Sequence, residues 1–258
     1  MRKTLKTPFA SLEKAIGILS LFDFESQALS AHEISQKVNI PLSTTYKYLD
    51  IFLKKGFLSK DVTNKKFYMG LTIFKMGVLA AEKISLYNVA FPFMDSLNKQ
   101  SGETVVLTVI HGMEALCVNV IESPRMVRLT IKKGTTLPLH AGASEKILLA
   151  YQDESFIDAV IENKGLVKFN KNTTTDPEQL KREMKLIQSR GFAQSDSEID
   201  LGAAAIASPI FDQKGKAVAG LTAAGPRDRI LGKKRHNLVN MVVETARKIS
   251  HELGYAKV

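Results

Sequence analysis

The residues whose types and spacing could do chemistry are concentrated in one stretch. It runs Asn39-Ile40-Pro41-Leu42-Ser43-Thr44-Thr45-Tyr46-Lys47-Tyr48-Leu49 and continues to Lys54-Lys55-Gly56. At helical spacing one face collects Ser43, Thr44, Tyr46 and Lys47, while Thr45, Tyr48, Leu49 and Phe52 fall on the other. Two hydroxyls, a phenol and an ammonium are donors suited to phosphate oxygens and base edges. The chemistry they point to is non-covalent recognition of a polyanion, with the opposite face packed behind. Their division between base edges and phosphate stays open.

Covalent chemistry finds no matching set. Ser11-Leu12-Glu13-Lys14 fits the Ser-x-x-Lys pattern of acyl-transfer enzymes, but it has two free positions and falls on a helical repeat. No Walker loop, no Gly-x-Gly-x-x-Gly and no His-Glu-x-x-His occurs, and His251-Glu252 lacks a second histidine. His32, His111, His140, His236 and His251 are scattered, and the single cysteine, Cys117, lies in an apolar run where it reads as a small hydrophobe. Neither an enzyme, a cofactor, a disulfide framework nor a metal site is expected.

A net charge of +10 suits a polyanionic partner. Between Pro41 and Gly70 the charge comes from Lys47, Lys54, Lys55, Lys60, Lys65 and Lys66 against Asp50 and Asp61, so the excess sits on the recognition segment. At 45% hydrophobic and 24% charged residues the composition is that of an ordinary globular protein. No apolar run approaches the roughly 20 residues of a membrane helix, and the basic start lacks a signal-peptide core. A cytoplasmic, reduced setting without a membrane partner is the expectation.

The elements that must position the stretch can be read in order. After a basic lead over residues 1–10, Ser11 reads as an N-cap, and Leu12, Ala15, Ile16, Leu19 and Phe22 form one helical stripe. A second helix starts at Ser30 with Glu33 closing a capping box, and buries Ile34 and Val38. Asn39 suits the left-handed turn, and Pro41 can open the next helix. Two helices joined this tightly make a helix-turn-helix. Gly56 stops the second, and strands at 57–60 and 66–69 flank a turn at 61–65, giving a wing whose Lys65 and Lys66 can reach a phosphate backbone. From Leu71 to about Asn88 the chain is helical with Ile73, Phe74, Leu79, Ala80 and Ala81, too apolar for a free surface helix. Another helix is expected over 87–100.

The second half opens with a hairpin of two β-branched runs, 104–110 and 115–121, and a third strand is expected over Val127 to Ile131. A loop to Ala143, helices at 144–151 and 153–163, and a helix capped by Asp176-Pro177 and ended by Gly191 follow. Strands at 203–211 and 217–224 and a closing helix over 233–253 complete it.

Several blocks, in this order and spacing, resemble the IclR family of transcriptional regulators: Ser11 to Ile16, Ala31 to Leu49, Lys55-Gly56-Phe57-Leu58 and Phe67-Tyr68-Met69-Gly70-Leu71. In the second half Gly102-Glu103-Thr104-Val105, Pro138-Leu139-His140-Ala141, Lys146 with Leu149-Ala150, Arg190-Gly191-Phe192-Ala193, Glu198 with Gly202, and Ile206 to Ile210 carry the same likeness. The resemblance implies an α/β (α+β) chain: a winged helix-turn-helix over 11–71, a linker and dimerisation helix over 72–88, and a GAF-like effector-binding domain over 89–258. It implies a homodimer or dimer of dimers that places two recognition helices, with Ser43, Thr44, Tyr46, Lys47, Lys54, Lys65 and Lys66 as contacts, on a pseudo-palindromic double-stranded DNA operator. It also implies a small-molecule effector, carboxylate-bearing or polar, held between the loop and helix that follow Pro138-Leu139-His140 and the strands of the second half. Carried over residue by residue, Ala143 and Ser144 would contact it, Ser195 or Asp196 would add a polar contact, Ala203 and Ala205 would form the floor, and Met126, Leu129 and Leu137 the walls.

Two departures matter. Glu145 stands where a glycine commonly precedes the motif lysine, and Ala205 where Cys or Ser is common. If Glu145 faces solvent nothing changes; if it faces the pocket, a polar or cationic effector is favoured over a simple anion. The run Ala203-Ala204-Ala205 suggests space for a larger ligand. Ser144 reads equally as an N-cap, and His140 as a structural histidine. A sensor or enzyme whose winged domain contacts protein, and an architectural DNA-binding protein, are the rival functions.

Overall fold

The computed structural model describes residues 10–23, 26–83 and 85–256. They form two compact units, 1–84 and 85–258. Apart from Ala10, the expected basic lead lies outside the described residues.

In the first unit α1 (Ala10–Leu19) precedes α2 (Ala31–Lys37) and α3 (Leu42–Lys54). The stripe expected on α1 is only partly buried. Leu12 and Ile16 stand 55% and 56% exposed, and Ile18 is the residue taken fully into the core, because the helix packs through its C-terminal half and the following Leu21 and Phe22. Ser11 lies inside the helix, not at its cap. The box at α2 forms as expected: Glu33 N donates to Ser30 Oγ at 3.3 Å, and Ser30 N donates to Glu33 Oε2 at 2.7 Å. Those hydrogen bonds, the one from the Ser30 backbone first, hold the Glu33 carboxyl below its ordinary range. Asn39 turns the chain at φ 52°, and Pro41 sits at the N-cap of α3, one residue earlier than a first helical position. The wing is the antiparallel pair β1 (Leu58–Lys60) and β2 (Phe67–Met69), in register Leu58↔Met69. A bridge from Leu29 to Phe67 ties it to the segment before α2. Ile18, Ile34, Leu49, Phe52, Leu58 and Phe67 share one core, so the wing and the back of α3 are fixed together. α4 (Leu71–Lys83) follows directly and leaves Leu71, Phe74 and Val78 exposed.

The second unit begins with α5 (Ser85–Ser101). The segment expected as a linker over 72–88 is thus divided between α4 and α5, and the units part inside it. The hairpin β3 (Thr104–His111) and β4 (Glu114–Ile121) leads to β5 (Thr136–Pro138), α6 (Ala143–Ala150), α7 (Glu154–Lys164) and α8 (Pro177–Arg190). β6 (Ala193–Asp196), β7 (Ala203–Phe211), β8 (Ala217–Pro226), the single turn α9 (Arg227–Ile230) and α10 (Arg235–Glu252) complete it. The strands form one antiparallel sheet in the order β5-β4-β3-β8-β7-β6. Strand alternation sorts the side chains to its two faces. Val105, Leu107, Ile206, Leu221 and Ala223 pack against α5 and α10 on one face. Ala193 and Ala207 face α6 to α8 on the other, with Ile147, Leu148, Met184 and Ile187.

The strand expected over Val127 to Ile131 does not form. Its backbone is held by side chains instead, Thr104 Oγ1 donating to Leu129 O at 2.8 Å and Arg229 to Val127 O at 2.9 Å, while Met126 and Val127 face solvent. The edge position goes to β5. β6 and α9 are additions that the pattern of the sequence did not mark.

Candidate nucleic-acid interface and effector recess

The front of α3 presents Ser43, Tyr46 and Lys47 to solvent, with Thr44 half-buried. Its back is held by Leu49 and Phe52 in the core and by Thr45, whose Oγ1 donates to Pro41 O at 3.2 Å. A polar face is therefore displayed by a rigidly seated helix. Lys54 is less free than its type suggests: it pairs with Asp50 one turn back at 2.6 Å, both exposed, a link worth about 0.3–0.5 kcal/mol that a phosphate can replace. In the wing turn Asp61 accepts from Thr63 N and Asn64 N, and the Thr63 bond foremost keeps its carboxyl ionised below the usual range. Asn64 Oδ1 accepts from Lys66 N, and Lys65 takes φ 59°, so the tip projects the exposed Lys65 beside a half-buried Lys66.

The start of α6 is the chemically densest part of the second unit. Gly142 is the N-cap at φ 90°, a conformation that leaves glycine the natural occupant. Its N–H donates to Glu198 Oε2 at 3.0 Å, and Glu198 Oε1 also takes Lys146 Nζ at 2.6 Å. Lys146, 1% exposed, is shared with Glu183 at 2.6 Å. One buried ammonium thus joins α6, α8 and the loop after β6, and its second carboxylate pins the helix start. Ser144 is not an N-cap: its Oγ donates to Thr222 Oγ1 at 2.8 Å, while Thr108 Oγ1 reaches Ser144 O at 3.3 Å. These bonds anchor α6 to β8 and β3. The approach is close enough that a Cβ on Gly220 would meet Ile147 Cγ2 at 2.7 Å.

Beside this anchor lies a small recess of about 10 Å³, room for about one water. Val106, Ala115, Ile131 and Leu137 form its apolar wall. Thr108, Cys117, Thr135, Ser144 and Glu145 supply the polar groups, Glu145 being the one carboxyl among them. Glu145 is buried, and burial foremost, with nearby Glu198, raises its carboxyl to about 8 despite Lys146 and a hydrogen bond from its own N–H. The Cys117 thiol is pushed up to about 11 by burial and by Glu145.

Two comparisons with known sequences decide what these two units are. The family described as "Bacterial transcriptional regulator IclR C-terminal" matches residues 78–251, and the "IclR helix-turn-helix domain" matches residues 11–62. The chain belongs to the IclR family. It is 32% identical over 244 residues to the HTH-type transcriptional repressor AllR of Escherichia coli, covering 95% of this chain and 90% of that one. The crystal structure of Thermotoga maritima IclR superposes with a TM-score of 0.74 at 28% identity, over 96% of this chain and all of the other. An IclR homologue from Microbacterium hydrocarbonoxydans, complexed with 4-hydroxybenzoate, gives 0.84 at 25% identity over 94% and 98%. As an IclR-type chain it is a DNA-binding transcriptional regulator with an effector-binding C-terminal domain, and not an enzyme.

Within that frame the carried-over effector residues separate. Ser144 and Leu137 line the recess. Ala143 is buried in the core beneath α6. Ser195, Ala205 and Ala203 share the α6-facing side of the sheet, with Ser195 opposite Ala205 in register, but none lines the recess. Ala204 points to the opposite core, so three alanines in a row do not open one space. Asp196 is committed to Arg227 at 2.7 and 2.9 Å, the cause of its lowered carboxyl, and Met126 stands 96% exposed. Leu129 is half-buried, bonded through its carbonyl to Thr104, and apart from the recess wall. Sequence reasoning missed Thr108, Thr135 and Cys117 as recess residues, because they come from three segments that meet only in the fold. His140 lies with Nε2 2.9 Å from Val167 O, while its buried Nδ1 finds no partner among the described residues.

Proposed function

We propose that this regulator reads a pseudo-palindromic operator as a homo-oligomer, each copy laying the Ser43 to Lys47 face of α3 in a major groove, and that a small effector bound by the C-terminal domain changes its affinity for DNA. The carrying observation is the seated recognition face: Ser43, Tyr46 and Lys47 are exposed on a helix whose reverse side is locked by Thr45, Leu49 and Phe52. Lys65 at the wing tip supplies sequence-independent attraction to phosphate. The exposed Leu71, Phe74 and Val78, spaced at three and four residues along α4, form an apolar stripe suited to the same stripe of a second copy. The 4-hydroxybenzoate complex of the Microbacterium relative supports a small-molecule ligand. Coupling follows if the effector binds two arrangements of the oligomer unequally, since equal binding shifts nothing.

The test uses the duplex upstream of the protein's own gene in fluorescence anisotropy. Lys47→Ala should lose about 1–3 kcal/mol at the operator, and Lys65→Ala should weaken operator and random duplex evenly while lowering the salt slope by about 1. Unchanged binding by both variants refutes the assigned face.

A further inference from the structure

α3 and α4 share one joint. α3 ends as a glycine-capped helix: Gly56 takes φ 69°, its N–H donates to Leu53 O at 3.1 Å, and Phe57 N donates to Phe52 O at 2.9 Å. The next three carbonyls, of Lys55, Gly56 and Phe57, are each taken by the chain at the start of α4. Thr72 Oγ1 donates to Lys55 O at 2.9 Å, Thr72 N to Gly56 O at 3.1 Å, and Gly70 N to Phe57 O at 2.8 Å. The crossing is tight from both sides. A Cβ on Gly70 would stand 2.2 Å from Gly56 O, and one on Gly56 would stand 2.8 Å from Thr72 Oγ1.

α4 therefore leaves the end of α3 at an angle held by three hydrogen bonds and two close-set glycines. Its first turn faces two ways. Thr72 is half-buried against the end of α3, while Leu71, 84% exposed, opens the apolar stripe that Phe74 and Val78 continue. A helix so placed transmits position. Its 13 residues make a lever about 20 Å long, and a swing of about 10° over that length moves the far end by about 3.4 Å, one base-pair step.

Resting on the reading that two copies pair through α4 on an operator of two half-sites, we infer that the joint of Gly56, Gly70 and Thr72 sets the half-site spacing this regulator accepts. Thr72 and Gly70 are positioning residues that act through α3. With the joint loosened, α3 still presents Ser43, Tyr46 and Lys47, so a single half-site is read as before. What is lost is the fixed distance between two such helices.

Fluorescence anisotropy of the full-length protein tests this on the footprinted duplex upstream of its own gene. The duplex is used in native form, with one half-site scrambled, and with the spacing changed by two base pairs either way. Wild type should prefer the native spacing about 100-fold. Thr72→Val keeps the side chain's shape and removes its hydroxyl, and Gly70→Ala wedges the crossing. Both should bind the single half-site as wild type does. With one hydrogen bond lost per copy, the spacing preference of Thr72→Val should fall to about ten-fold, and that of Gly70→Ala further. Thr72→Ser, which keeps the hydroxyl, should retain the wild-type preference. Thr72→Val with its serine control decides alone where Gly70→Ala melts without a cooperative transition. A full spacing preference in Thr72→Val and Gly70→Ala overturns the assignment and leaves paired binding standing. So does a loss on the single half-site as large as on the native duplex, which marks residues that only hold the fold. Wild-type protein that binds every spacing and the single half-site alike overturns the paired reading, and the joint's role with it.

Discussion

Glu145→Gln should change the pH dependence of stability, and the size of the change follows from burial. The carboxyl moves from an ordinary value of 4.5 to about 8 on folding, chiefly through desolvation. Below about pH 4.5 folded and unfolded chains both hold this proton, and its contribution to stability is fully present. As pH rises the unfolded chain releases the proton while the folded chain keeps it, so the contribution declines, and the loss is complete once pH passes about 8. At 1.36 kcal/mol per unit the whole window amounts to about 5 kcal/mol, an upper figure because a strained site can relax. Glutamine copies the protonated acid and has nothing to lose. Wild type and variant should therefore melt together near pH 5 and diverge steadily to pH 8, the variant higher by on the order of 10 °C for a unit of this size. The difference between the two curves isolates Glu145, since every other group is common to both proteins. Thermal melts across pH 5 to 9, followed by circular dichroism, measure it. Parallel curves, or a variant that loses ground as pH rises, would refute the claim that this carboxyl is buried and neutral.

Removing the ammonium beneath it should cost more at neutral pH. Lys146→Ala leaves Glu198 and Glu183 facing each other without their shared partner and releases the anchor on Gly142, and about 3–5 kcal/mol of the second unit's stability should go, read by urea titration. In the first unit Ser30→Ala breaks the capping box of α2 and should cost about 1 kcal/mol, visible as faster hydrogen exchange of the Ile34 and Val38 amides, with the C-terminal unit unaffected.

Local rules determined much of this protein from sequence alone. The capping box at Ser30 and Glu33, the left-handed Asn39, the Asp176 cap with Pro177 following, and the strands expected over 203–211 and 217–224 were marked by local pattern, and each forms there, the last strand running two residues further to Pro226. The polar face of α3 was equally legible, because a helix sorts its own residues into front and back: Thr45 and Leu49 went in, Tyr46 and Lys47 stayed out.

The tertiary structure decided everything that depends on distant segments meeting. Val127 to Ile131 has strand-forming residues, yet it finds Thr104 and Arg229 side chains instead of a ladder partner. Leu12 and Ile16 fit a helical stripe, yet the core reaches only the far end of α1. The recess beside α6 is the clearest case. Cys117 on β4, Thr108 on β3, Thr135 before β5 and Glu145 on α6 converge there, while Met126, carried over by likeness, stays in solvent. Sequence marked Glu145 as a departure at a helix start. Whether it faced water or the recess turned on the packing of α6 against β3 and β8, and that packing is what buries its charge.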